Sequence, residues 1–215
     1  MNNADLRQHV IAALEFEPSV SATNIGIIVD DGIVTLTGHV ASYSEKLNAE
    51  RTVQSVKGVR GIAQEIEIRD PAAKKTADDE IAHRALNMIA WDAAVPDGAV
   101  KVKVQQGWVT LTGKLEWDFQ RRRAEDAVHR LSGVIGVTDL IEISPSVQVS
   151  DVKSRIETAF RRSAEVEAAG IRVGVDENKV VLEGRVNTWH ERAAAERAAW
   201  AVPGVVSVID KLAVS

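Results

Sequence analysis

Apolar positions recur along this chain in two rhythms, one of helical spacing and one of strict alternation, and the order of the rhythms is written three times. Near the start, Leu6, Val10, Ala13 and Leu14 fall on one helical face. Ile81, Ala85, Met88 and Ile89 repeat the spacing, as do Val152, Ile156, Ala159 and Phe160. Each set predicts an amphipathic helix packed by that face. Asp5, Asp78 or Asp79, and Asp151 stand near the first turns, where a carboxylate caps free amides and complements the helix dipole. Alternation follows at Ile25, Ile27 and Val29, then at Val100, Val102 and Val104, then at Ile171, Val173 and Val175. The intervening Lys101, Lys103 and Arg172 predict a sheet covered on one side only.

The same punctuation separates these runs in every copy. Asp31-Gly32 predicts a tight hairpin because both residues tolerate positive φ, and Gln106-Gly107 and Glu177-Asn178 are weaker versions of it. Second strands run Val34-Thr35-Leu36, Val109-Thr110-Leu111 and Val180-Val181-Leu182, up to Gly38, Gly113 and Gly184. Those glycines predict either a strand end awkward for a residue with Cβ or a close approach by the next helix. The second helix turns Leu47, Ala49, Val53 and Val56 inward, answered by Ala124, Ala127, Val128 and Leu131 and by Ala195, Ala198, Ala199 and Val202. It is expected to stop at Gly58, Gly133 or Gly204. A last alternating strand holds Ile62, Ile66 and Ile68, matched by Val137, Ile141 and Ile143 and by Val208, Leu212 and Val214.

The fold class is therefore α+β: three tandem α-β-β-α-β modules over residues 1–70, 76–144 and 148–215. Each is expected to be a three-stranded mixed sheet with two helices packed on one face. Asp70-Pro71-Ala72-Ala73-Lys74-Lys75-Thr76 and Ser144-Pro145-Ser146 read as short linkers, because proline ends a strand ladder. A module of roughly 70 residues hides only about 60% of its unfolded surface, so the three are expected to pack on one another or on a partner.

Composition narrows the chemistry. A 45% hydrophobic and 27% charged make-up over 215 residues belongs to a soluble globular protein. The absence of cysteine excludes a disulfide framework and thiolate chemistry. Residues Met1 to Val10 lack a basic and then apolar leader, and no stretch approaches the roughly 18 apolar residues of a membrane span, so a cytoplasmic location is expected. The net charge of -5 argues against a nucleic-acid partner. His9, His39, His83, His129 and His190 are scattered without metal-ligand spacing, and no nucleophile elbow or phosphate loop occurs. No catalytic residue, metal site or cofactor is assigned, and the chain reads as no enzyme.

With the α-β-β-α-β order, the G-x-V-T-L-T-G hairpin of Gly32–Gly38 and Gly107–Gly113, and the pairs Gly58-Val59, Gly133-Val134 and Gly204-Val205 at one constant spacing, the chain resembles the BON domain family. These are modules of bacterial osmotically inducible, nodulation and transport-associated proteins. The third copy departs from the pattern, with Asn178 for the turn glycine, Glu183 before Gly184, and Arg162 where Phe16 and Trp91 stand. The resemblance implies a non-catalytic protein that binds phospholipid membranes in osmotic or envelope stress. One cytoplasmic branch of the family binds potassium alongside a module absent here. The expected partner is anionic phospholipid, which would place the chain at the periphery of the inner membrane. The alternatives are a scaffold for another protein, self-association into a homo-oligomer, and cation sensing.

Copy two concentrates the candidate residues: Trp91 at the end of its first helix, Trp117 and Phe119 at the entry to its second, and Arg121, Arg122 and Arg123 directly after. Aromatic rings beside cationic side chains suit a lipid interface or a partner surface. The competing structural expectation buries Trp91 and Trp108 in the core or between copies and pairs the arginines with Glu125 and Asp126 along a solvated helix face. Trp189 and Trp200, on the second helix of copy three, are expected to be buried against copy two or a sister chain.

Overall fold

The computed structural model describes residues 2–69, 78–145, 151–163 and 165–214. The predicted linker of residues 70–76, and Ser146 of the next, lie outside that set. Module 1 comprises α1 (Asn3–Phe16), β1 (Ile25–Asp30), β2 (Ile33–Val40), α2 (Tyr43–Gln54) and β3 (Gly61–Ile68). Module 2 comprises α3 (Asp78–Trp91), β4 (Val100–Gln105), β5 (Trp108–Leu115), α4 (Asp118–His129) and β6 (Gly136–Ile143). Module 3 comprises α5 (Val152–Arg162), β7 (Ile171–Asp176), β8 (Lys179–Val186), α6 (Trp189–Trp200) and β9 (Ser207–Val214). The order in each is the predicted α-β-β-α-β. The described residues gather into two compact units, 1–84 with 104–109 and 128–137, and 85–103 with 110–127 and 138–215, so the division runs through module 2.

Each sheet has three strands, in the orders β1-β2-β3, β4-β5-β6 and β7-β8-β9. In modules 1 and 3 the middle strand runs antiparallel to the first and parallel to the third. The parallel pair brackets the second helix, which is the crossover such a pair requires. Alternation delivers Val34, Leu36 and Val40 to the same buried face as Leu6, Val10 and Leu14 of α1 and Ala49 and Val53 of α2. In module 3, Val180, Leu182 and Val186 meet Ile156 and Phe160 of α5 and Ala195 and Ala199 of α6. In module 2 Ile81, Ala85 and Ile89 are buried, but Met88, expected on the same face, is 48% exposed.

Several local expectations change in three dimensions. The hairpin residues Asp31 and Gly32 take φ of 44° and 79°, and Gln106 and Gly107 take 52° and 81°, as a tight turn matched to strand twist requires. Asp78, expected to cap its own helix, accepts instead from the amides of Gln106 (2.7 Å) and Gly107 (2.9 Å) and so clasps the hairpin. In module 1 the Oδ1 of Asn3 does the same for the amide of Asp31 at 3.1 Å. The cap of α1 is Asn2, which accepts from the amide of Asp5 at 2.7 Å. Asp151 makes no capping bond. The second helices stop at Gln54, His129 and Trp200, a turn before the predicted glycines. The residues between form a further turn, closed in module 1 by the Val59 amide donating to the Val56 carbonyl at 3.2 Å. Nor do the middle strands end at their glycine, since β2 continues to Val40. The close approach to Gly38 comes from the turn before β1, whose Asn24 carbonyl oxygen would lie 2.0 Å from an added Cβ.

Candidate functional site

The opening turn of the second helix is where the modules differ most. In modules 1 and 3 a hydroxyl caps it: Ser42 Oγ accepts from the amide of Glu45 (3.1 Å) and Thr188 Oγ1 from that of Glu191 (3.0 Å). The carboxylates reach back in turn. Glu45 accepts from Ser21 (2.8 Å) and Ala41 (2.9 Å), and Glu191 from Glu167 and Asn187, both at 2.7 Å. Sequence reasoning missed these residues, although S-x-x-E at Ser42 and T-x-x-E at Thr188 are the signature of a capped helix start. Module 2 carries Trp117 in the capping place and Gln120 in the carboxylate's place. Gln120 accepts from the Trp117 amide (3.2 Å) and donates to the Ala94 carbonyl (2.9 Å). Replacing a hydroxyl cap costs about 0.5–2 kcal/mol. A breach of a local rule at one copy of three is the kind of site where function resides.

The three arginines that follow are not a bare basic patch. Arg121 pairs with Asp118 and, at 3.5 Å, with Asp139; Arg122 pairs with Asp118 at 2.6 Å and Arg123 with Asp92 at 3.3 Å. Asp118 is buried, and a buried carboxylate is stable only when neutralised, so two guanidinium groups converge on it. The guanidinium of Arg121 also lies over the ring of Trp200, 4.7 Å from its centroid, within cation–π range.

Asp139 carries a pH signature. Burial raises its pKa above the ordinary 3.8, against the opposing pull of the Ile141 amide and of Arg121. A carboxyl whose folded pKa is raised holds its proton longer in the folded state. Its stabilising contribution is complete below the unfolded value and is lost as pH rises through the folded one. Asp139→Asn mimics the protonated form and keeps an acceptor for the Ile141 amide. The stability of this variant relative to the parent is expected to increase as pH rises from about 3 toward neutrality. Denaturant melts across that range check it, and a difference independent of pH would contradict the raised pKa.

Four of the six predicted residues come together. Trp117, Phe119, Arg122 and Arg123 line one groove of about 620 Å³ within the second unit, with Arg197, Trp200 and Ala201 on its other side. The rings of Trp117 and Phe119 are 6.4 Å apart. Arg121 lies behind, stacked on Trp200. Trp91 is not in the groove but precedes Asp92, which holds Arg123. Its side chain is 89% exposed, and Phe16, at the matching position of α1, is 90% exposed. Burial of Trp91 in a core is thereby overturned, and Trp108 is 48% exposed. Trp200, expected to be buried against copy two or a sister chain, is buried in the core of its own module 3, and Trp189 is half-buried with Arg192 over its ring at 5.1 Å. Among the described residues no group of three or more His, Asp or Glu side chains is placed to hold a metal ion, and no helix is long and apolar enough to cross a membrane.

Three α-β-β-α-β modules in tandem, differing at the mouth of the second helix, define a repeat protein of small mixed-sheet modules. The chain belongs to the BON domain family, whose model matches residues 2–70, 77–145 and 148–215. It is 28% identical over 141 residues to osmotically-inducible protein Y of Escherichia coli strain K12, covering 64% of this chain and 70% of that protein. Among solved structures it aligns with CdsD, a structural protein of the type III secretion system of Chlamydia trachomatis, over 98% of this chain and 92% of the other, at 14% identity and a TM-score of 0.27. At that score neither fold nor function transfers.

Proposed function

We propose that this BON-repeat protein acts without catalysis, associating peripherally with anionic phospholipid membranes in the response to osmotic or envelope stress. The stress assignment draws on the likeness to an osmotically inducible protein. The membrane assignment is carried by one observation: Trp91 stands almost wholly in solvent at the end of α3, next to the residue that holds Arg123 at the rim of an aromatic groove. An exposed indole beside a cation suits the headgroup layer, where the ring lies in the interface. Free basic residues would add about 1 kcal/mol each near an anionic surface. Here every guanidinium on the rim has a carboxylate partner, including Arg197 with Glu165 at 3.3 Å, so binding leans on the rings and depends weakly on salt.

Co-sedimentation with phosphatidylcholine vesicles, with and without phosphatidylglycerol, tests the proposal. The parent chain is expected to sediment with the anionic vesicles, and Trp91→Ala to bind about tenfold more weakly. Trp117→Ser should also weaken binding, yet leave stability within about 1 kcal/mol, because the restored hydroxyl cap offsets the lost indole contact. No sedimentation of the parent at low salt would end the lipid reading. Binding indifferent to Trp91 would remove this site from it.

A further inference from the structure

Module 3 departs from the other two along a groove of about 340 Å³ between α5 and the end of α6, all of it within the second unit. Arg155, Thr158 and Arg162 form its polar wall; aligned on the hairpin, module 1 has His9, Ala12 and Phe16 there, and module 2 has Arg84, Asn87 and Trp91. Ala198, Ala201 and Pro203 form the other wall, where module 1 has Thr52, Ser55 and Lys57 and module 2 has Ala127, Arg130 and Ser132. Only in module 3 do two guanidinium groups border a wholly apolar wall. Those groups are also unspent. Arg84, the counterpart of Arg155, is paired with Glu80, whereas Glu157, the carboxylate of α5, pairs with Lys153 and Arg161 at 3.9 Å each. Among the described residues no carboxylate lies within ion-pair distance of Arg155 or Arg162.

The end of α1 carries the complementary pattern, an apolar knob between two anions. Phe16 is 90% exposed and stands between exposed Glu15 and Glu17. The Ser19 hydroxyl (2.6 Å) and amide (3.0 Å) donate to Glu17 and hold its carboxyl below the usual range, so it stays ionised. We propose that the groove between α5 and α6 docks the Glu15-Phe16-Glu17 end of α1 from a second copy of this chain, the ring against Ala198, Ala201 and Pro203 and the carboxylates toward Arg155 and Arg162. Charge complementarity carries the choice of occupant. Trp91 is an equally exposed knob, but the acid beside it, Asp92, is already held by Arg123. Arg155 and Arg162 stand two turns apart, about 10.5 Å along the helix, which leaves room for a ring flanked by one acid on each side. The contact joins two unlike surfaces and is therefore heterologous. It buries little more than one ring and two solvent-exposed ion pairs, so the association is weak, concentration-dependent and weakened by salt.

The proposal is independent of lipid binding and is tested without lipid, by sedimentation velocity on the full chain across the micromolar range at low salt. The mass of the parent is expected to rise with concentration. Phe16→Ala, Glu15→Lys and Arg155→Glu should each weaken association about tenfold. Each charge reversal suits its own helix, a cation in the last turn of α1 and an anion near the start of α5, so both variants should melt no lower than the parent. That separates loss of the contact from loss of the fold. An equimolar mixture of Glu15→Lys and Arg155→Glu decides the pairing. Each variant repels itself, but in the mixture every α1 end meets a groove of opposite charge on the other chain, so association should return. A monomer at every concentration overturns the proposal, and so does association that any of the three variants leaves intact or that mixing fails to restore.

Discussion

Gly184→Ala is expected to unfold the third module. Gly184 pairs with Ile171 across the antiparallel ladder at φ +131°, in the region that glycine alone adopts readily. An added Cβ would lie 2.1 Å from the carbonyl oxygen of Gly170 and 3.2 Å from its carbon. Both are backbone atoms, so no side chain can swing aside. The turn before β7 must move instead, and with it the start of the strand that covers the core. The left-handed conformation alone costs about 1–2 kcal/mol, and displacing the turn brings the total to about 4 kcal/mol or more, the range reserved for severe core and backbone faults. A domain of this size has about 3–10 kcal/mol of stability in all. Near-UV circular dichroism reads the result, since Trp189 and Trp200 both lie in this module. A variant with the parent's spectrum and a melting temperature within a few degrees of it would contradict the steric account. Gly113, 2.1 Å from the Ala99 oxygen by the same construction, should behave alike in module 2.

The contrast between shared and divergent positions explains what could be read in the sequence. Alternating valines, hairpin dipeptides and the periodic apolar residues of the helices act over a few residues each, and they specify the modules correctly. The site depends on encounters between residues far apart. Helix spacing points Arg122 and Arg123 toward acidic neighbours, but gives no sign that Asp118 is buried and so draws two guanidinium groups, or that Arg123 reaches across to Asp92. Asp78 looks like a helix cap because its helix is local, whereas the hairpin it holds lies 28 residues away. Spacing also cannot separate the tryptophans. Trp91 and Trp200 both end helices, yet one stands in solvent and the other joins a core. The hydroxyl caps were legible, and with them the anomaly of Trp117, because the motif and its loss are both written within four residues.

Glu191→Ala is the second large effect, and it tests what module 2 gave up. The Glu191 side chain is 94% buried by its 6% exposure, and its two oxygens accept the amides of Glu167 and Asn187, each at 2.7 Å. It thereby ties the turn before β7 and the chain after β8 to the first turn of α6. Alanine removes two hydrogen bonds to a charged group, each of which contributes about 1.5–3 kcal/mol. The expected loss is about 2–4 kcal/mol, read as a shift of the denaturant midpoint at constant slope. Glutamine should not rescue it. The amide at Gln120 succeeds because one of its partners is an acceptor, the Ala94 carbonyl, and the other a donor, the Trp117 amide. In module 3 both partners are donors, so one amide NH2 would face an N–H and more than half of the loss should remain. A Glu191→Gln variant as stable as the parent would refute the double-acceptor role. The reverse exchange completes the argument: Gln120→Glu turns a carboxylate toward the Ala94 carbonyl oxygen. It should destabilise module 2 unless Trp117 is first returned to serine and the turn re-forms around two donors.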